Sequence, residues 1–221
     1  MANIRLKICG MKQPENVREI AMLQPDYMGL IFYEKSPRYV AAHIPEITSE
    51  VKKTGVFVDT SLEFILEKIE KYQLQALQLH GRETAEFCRQ LRDNLQDKNI
   101  EIIKVFSVKE EFDFSRLEEY EGVVDFFLFD TKGKNKGGNG VTFNWEVLKN
   151  YPSSTPFFLS GGIGLEEAEE VKELMNLFQE NGKENLLYAV DVNSRFEDEQ
   201  GLKNAEKLRQ FKERITEKLD L

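Results

Sequence analysis

Reactive side chains in this sequence gather at the ends of short apolar runs. Cys9 closes Ile4-Arg5-Leu6-Lys7-Ile8 and precedes Gly10, Asp130 closes Phe126-Phe127-Leu128-Phe129, and Asp191 interrupts Ala189-Val190-Asp191-Val192. A thiol can act as nucleophile or base, and a carboxyl group partly withdrawn from water has a raised pKa that suits a general acid. Plainer readings stand beside these: a cysteine packed as a small hydrophobe, an aspartate that caps a helix or pairs with a lysine. Lys7 shares the face of Cys9 by two-residue alternation and is the expected partner of Asp191. His80 ends Gln75-Ala76-Leu77-Gln78-Leu79, a position where a single histidine is more often hydrogen-bonded structure than catalyst. With His43 the only other histidine, no metal site is expected.

A second group of residues suits an anion. Phe157-Phe158-Leu159-Ser160-Gly161-Gly162-Ile163-Gly164 is a buried run that breaks into glycines just before a helical pattern. Glycines let backbone N–H groups approach a phosphate, and a helix N-terminus adds partial positive charge. A tight strand-to-helix turn is the competing reading. Arg38 follows the second apolar run, where its guanidinium can clamp a carboxylate or simply lie in solvent. Lys132 to Gly140 (KGKNKGGNG) lacks the terminal Lys-Ser/Thr of a nucleotide-binding loop; a lid over an anionic ligand and an ordinary solvated loop both fit it.

The elements that must position these residues alternate regularly. Strand patterns occupy 4–8, 26–33, 54–58, 75–80, 100–105, 124–130, 157–160 and 186–192. Helical patterns fall at 11–23, 45–53, 61–72, 83–95, 115–121, 144–149, 165–178 and 202–219. Such alternation predicts a parallel sheet covered on both faces. Eight units without a composition break favour a single (β/α)8 barrel over residues 1–221, the TIM-barrel class of α/β fold. An open doubly wound sheet competes, but its phosphate fingerprint after the first strand is missing. A barrel would bring Cys9, Arg38, His80, Asp130, the Ser160-Gly161-Gly162 turn and the loop after Asp191 to one face. Asn193 and Ser194 would supply the strand-eight side of a phosphate cup.

Composition narrows the partners. The 221 residues carry a net charge of −9, which leaves no broad basic surface for nucleic acid. No apolar run approaches the ~20 residues of a membrane span, and no signal-like segment opens the sequence. Two cysteines, Cys9 and Cys88, make neither a disulfide framework nor a metal cluster, so a reduced cytoplasmic setting is expected. Oligomeric state, monomer or homodimer, is not legible.

Taken in order, Lys7-Ile8-Cys9-Gly10, Gly29 to Tyr39 (GLIFYEKSPRY), Gln78-Leu79-His80-Gly81, Phe129-Asp130-Thr131, Gly137 to Gly140 (GGNG), Phe143-Asn144-Trp145, Leu159 to Gly162 and Val190 to Ser194 (VDVNS) resemble the phosphoribosylanthranilate isomerase family of tryptophan biosynthesis. The resemblance implies a (β/α)8 barrel that performs an Amadori rearrangement on a small phosphorylated substrate without metal or organic cofactor. It also implies Cys9 as general base, Asp130 as general acid, Arg38 on the anthranilate carboxylate, and Gly161 and Gly162 with the strand-eight loop on the phosphate. Asp191 would support the site. The chain departs from the family where Asn193-Ser194-Arg195 replaces the usual Ser-Ser-Gly, and where Asn139 and Asn144 stand in and after the glycine-rich loop.

Overall fold

The computed structural model describes residues 4–41, 43–95, 99–108, 111–131 and 145–217. Eight parallel strands close on themselves in chain order: β1 (Arg5–Ile8), β2 (Tyr27–Ile31), β3 (Lys52–Phe57), β4 (Ala76–Leu79), β5 (Glu101–Val108), β6 (Phe126–Thr131), β7 (Phe157–Ser160) and β8 (Leu187–Val192). Pairing of β1 with β8, Lys7 opposite Asp191, shuts the barrel and removes every edge from it. The open doubly wound alternative is thereby excluded.

Strand alternation sorts the side chains into two apolar layers. Tyr27, Ala76, Ile103, Val105, Phe126, Leu128, Phe158 and Ala189 fill the barrel interior. Side chains of opposite parity, such as Leu6, Leu77, Ile102, Phe127 and Leu159, point outward into the larger core beneath the helices. That outer layer is closed by α1 (Pro14–Ala21), α2 (Leu62–Tyr72), α3 (Ala85–Asn94), α4 (Glu146–Lys149), α5 (Ala168–Glu180) and α6 (Ala205–Thr216). Their starts follow local chemistry. Ser61, Thr84 and Asn204 accept from the backbone N–H of Phe64, Phe87 and Lys207, and Pro14 sits where its missing N–H costs nothing. Leu208, Phe211 and Ile215 of α6, like Cys88 and Leu91 of α3, form the buried faces at helical spacing. Cys88 thus serves packing, and burial pushes its thiol up to about 11.

Three expected elements differ. No helix occupies 45–53: β3 begins at Lys52, paired with Tyr27, and the short β-branched remainder is below the length at which a helix nucleates well. The fifth crossover is a 3-10 segment, Phe114–Tyr120, rather than an α-helix. Leu202 and Lys203 belong not to the last helix but to an antiparallel hairpin, β9 (Glu197–Glu199) with β10 (Leu202–Lys203), turned at Gly201 with φ +84°. No described helix is long and apolar enough to cross a membrane.

Candidate active site

The C-terminal strand ends carry a continuous polar row. Asp130 of β6 is opposite Ser160 of β7, Ser160 is opposite Asp191 of β8, and Asp191 is opposite Lys7 of β1. Cys9 lies two residues further up from Lys7 on the same face, its N–H donating to the Val192 carbonyl at 2.9 Å. Parallel register therefore places the thiol and the Asp130 carboxyl at the same mouth, with β7 and β8 between them.

Lys7 and Asp191 are fully and almost fully buried, and Lys7 Nζ donates to Asp191 Oδ1 at 2.8 Å. Burial pulls the ammonium down, but Asp191 and the neighbouring Cys9 outweigh it and Lys7 is raised overall. Burial pushes Asp191 up against the opposing pull of Lys7. The charged pair is the form the site keeps, because neutralising one member strands the other charge. Ser160 Oγ donates to Asp191 Oδ2 at 3.4 Å and completes this side.

Cys9 is 4% exposed. Burial pushes its thiol up, and the nearby Lys7 and Lys203 ammonium groups pull back without cancelling that effect. Room for the sulfur comes from Gly29 on β2, where a Cβ would fall 2.7 Å from Sγ. Asp130 is more open, at 19% side-chain exposure, and its Oδ2 lies 3.5 Å from His80 Nε2. The other His80 ring nitrogen, Nδ1, faces Gln78 Nε2 at 3.1 Å. His80 thus links the barrel interior to Asp130.

Gly161 and Gly162, at the end of β7, have φ of +104° and +72°, a conformation that side chains disfavour. Beyond them, Gly164 N–H donates to Glu167 Oε2 at 2.7 Å, and Arg195 Nη2 contacts Glu167 Oε1 at 3.4 Å. On the strand-eight side Ser194 is exposed, and Asn193 Oδ1 accepts from Lys203 Nζ at 2.7 Å.

Arg38 already holds a carboxylate, and it is the protein's own. Nε donates to Glu197 Oε1 at 2.7 Å and Nη2 to Glu197 Oε2 at 2.5 Å. Lys203 Nζ shares the same Oε1 at 2.6 Å. Gly29, Glu197 and Lys203 were all missed in sequence. Gly29 carried the signal of a lone glycine inside a strand, whereas Glu197 and Lys203 lie in a charged stretch with no periodicity. The glycine-rich loop read as a possible lid, with Asn139 and Asn144, lies outside the described residues. Among the described residues, no group of three or more His, Cys, Asp or Glu side chains is placed to hold a metal ion.

The model of the family described as N-(5'phosphoribosyl)anthranilate (PRA) isomerase matches residues 6–214. The N-(5'-phosphoribosyl)anthranilate isomerase of Parabacteroides distasonis is 41% identical over 216 residues, 95% of this chain and 92% of that one. Phosphoribosyl anthranilate isomerase from Thermotoga maritima superposes with a TM-score of 0.75 at 30% identity, over 96% of this chain and 98% of that one. A further structure of such an isomerase, in complex with reduced 1-(o-carboxyphenylamino)-1-deoxyribulose 5-phosphate, gives 0.71 at 26% identity with the same coverage. With a thiol and a carboxyl at one barrel mouth and a family match over nearly the whole chain, this protein belongs to the N-(5'-phosphoribosyl)anthranilate isomerase family.

Proposed function

We propose that the chain converts N-(5′-phosphoribosyl)anthranilate to 1-(2-carboxyphenylamino)-1-deoxyribulose 5-phosphate, a step of tryptophan biosynthesis, with Asp130 as general acid and Cys9 as general base. The supporting observation is the register that carries Asp130, Ser160, Asp191 and Lys7 across four adjacent strands and sets Cys9 above the last of them.

Asp130 donates its proton to the ribose ring oxygen while the anilino nitrogen pushes out the C1′–O bond, giving a ring-opened iminium ion. The partial exposure of Asp130 lets it regain a proton from solvent. The iminium cation acidifies the C2′ hydrogen. Cys9, as thiolate, removes that proton; the C–H electrons form a C1′=C2′ bond while the C1′=N π pair moves onto nitrogen, which gives an enolamine. The enolamine becomes the ketone by losing its C2′ hydroxyl proton and gaining one at C1′. Lys7 favours the thiolate that burial disfavours, and Asp191 holds Lys7 in place. The substrate phosphate fits the left-handed Gly161-Gly162 turn, and Arg38 meets the anthranilate carboxylate. Loss of phosphoribosylanthranilate fluorescence on adding purified protein tests the reading. Catalysed loss is expected, and no rate above background would sink it.

A further inference from the structure

The β9–β10 hairpin brings two charged side chains to Arg38 from more than 150 positions away in sequence. Glu197, with 6% of its side chain exposed, grips Nε and Nη2 of Arg38, and Lys203, with none exposed, grips Glu197. Asn16 of α1 locks Lys203 in turn: its Oδ1 accepts from Lys203 N at 2.8 Å and its Nδ2 donates to Lys203 O at 2.9 Å. Gly10 completes the fit. A Cβ there would fall 2.6 Å from Arg38 Cδ and 2.8 Å from Asn193 Oδ1, so the arginine stem lies across the backbone next to Cys9.

Two physical consequences follow. An arginine gripped by a carboxylate on Nε and Nη2 has its guanidinium plane fixed, and among the described residues Nη1 makes no hydrogen bond. Gripping also has an electrostatic drawback: Glu197 alone would cancel the charge of Arg38 and repel an incoming carboxylate. Lys203 offsets that drawback: burial pulls its ammonium down while Glu197 pulls it up, and with both cations protonated Arg38, Glu197 and Lys203 together carry one net positive charge. Burial pushes Glu197 up, but contacts with Arg38 and Lys203 outweigh it and hold the carboxyl below its usual range.

We propose that Glu197 and Lys203 are positioning residues for substrate selection: Glu197 aims Arg38 at the anthranilate carboxylate, and Lys203 keeps the cluster cationic so that this carboxylate is attracted. The proposal rests on Arg38 as the carboxylate anchor. It assigns the hairpin a task in binding rather than in proton transfer.

The test uses two inhibitors, reduced 1-(o-carboxyphenylamino)-1-deoxyribulose 5-phosphate and the same compound without the carboxyl group. The readout is the ratio of their Kd values on each protein preparation, which a general loss of stability would not move. Wild type is expected to prefer the carboxylated compound, and Arg38→Ala is expected to abolish the preference. Glu197→Gln is expected to cut it about 10-fold and Lys203→Met about 3-fold, with binding of the carboxyl-free compound changed less than about 2-fold. If Arg38→Ala keeps the preference, the anchor itself fails and the proposal with it. If Arg38→Ala loses the preference while either hairpin variant keeps the wild-type ratio, the positioning role alone is overturned. Failure of both hairpin variants to fold would also overturn it, by assigning the pair to the scaffold.

Discussion

The two ends of the barrel are both polar, and they handle polarity in opposite ways. At the N-terminal end, Tyr27 donates to Glu101 Oε2 at 2.9 Å and meets the Tyr188 hydroxyl at 3.3 Å, while Lys52 binds Glu101 Oε1 at 2.5 Å. The Arg5 guanidinium covers the Tyr188 ring at 4.0 Å, and that ring packs on Phe126 at 4.3 Å. Those groups satisfy one another. At the C-terminal end Lys7 and Asp191 are equally well paired, yet next to them Cys9 is buried against its own ionisation and the Asp130 carboxyl is partly exposed, 3.5 Å from the His80 ring. One end spends its polar groups on closure, whereas in the proposed function the other offers a thiol and a carboxyl to a ligand.

That contrast can be broken most directly at the two groups proposed to transfer protons. Cys9→Ala and Asp130→Asn should each lower kcat/KM by at least ~100-fold with circular dichroism unchanged, and near-wild-type turnover in either would erase the distinction between the ends. Because burial pushes Cys9 up and the base must be the thiolate, kcat/KM should climb with pH from neutral, about tenfold per unit while Cys9 limits the rate. A pH profile flat from 7 to 9 would remove Cys9 from the rate-determining step. Gly29→Ala should cost about 1–3 kcal/mol in denaturant unfolding and lower activity at the same time, since the added methyl lands 2.7 Å from Sγ. Destabilisation with full activity would show that the thiol position is not critical. Tyr27→Phe should cost only about 1 kcal/mol and leave kcat/KM within about twofold. A large activity loss from this far end would mean that the two ends are coupled.

Much of the barrel was legible because most strands announced themselves by apolar residues and a glycine or polar residue at the end. The segment Phe157–Ser160 is the clearest case, its expected and observed bounds being the same. The hairpin was not legible, since its strands are only three and two residues long and mostly charged. Helical spacing was misread at 45–53 because pairing of Lys52 with β2 outweighs local helix propensity. The site divides in the same way. Strand-end residues such as Cys9, Asp130, Asp191 and Lys7 could be read from alternation alone, and the Lys7–Asp191 pair was anticipated. Arg38 was found but its intramolecular carboxylate was not, because nothing in a linear sequence ties residue 38 to residue 197.

The seam between the first and last strands has a bearing on biosynthesis. Lys7 and its counter-charge are separated by 184 positions, so a chain emerging from the ribosome carries the ammonium long before the aspartate is made. Compaction of the N-terminal portion on its own would have to enclose that ammonium without Asp191, which is strongly unfavourable. The last barrel strand to be translated therefore releases the first one into the interior, and a fragment ending before β8 lacks the neutralising partner for its own first strand.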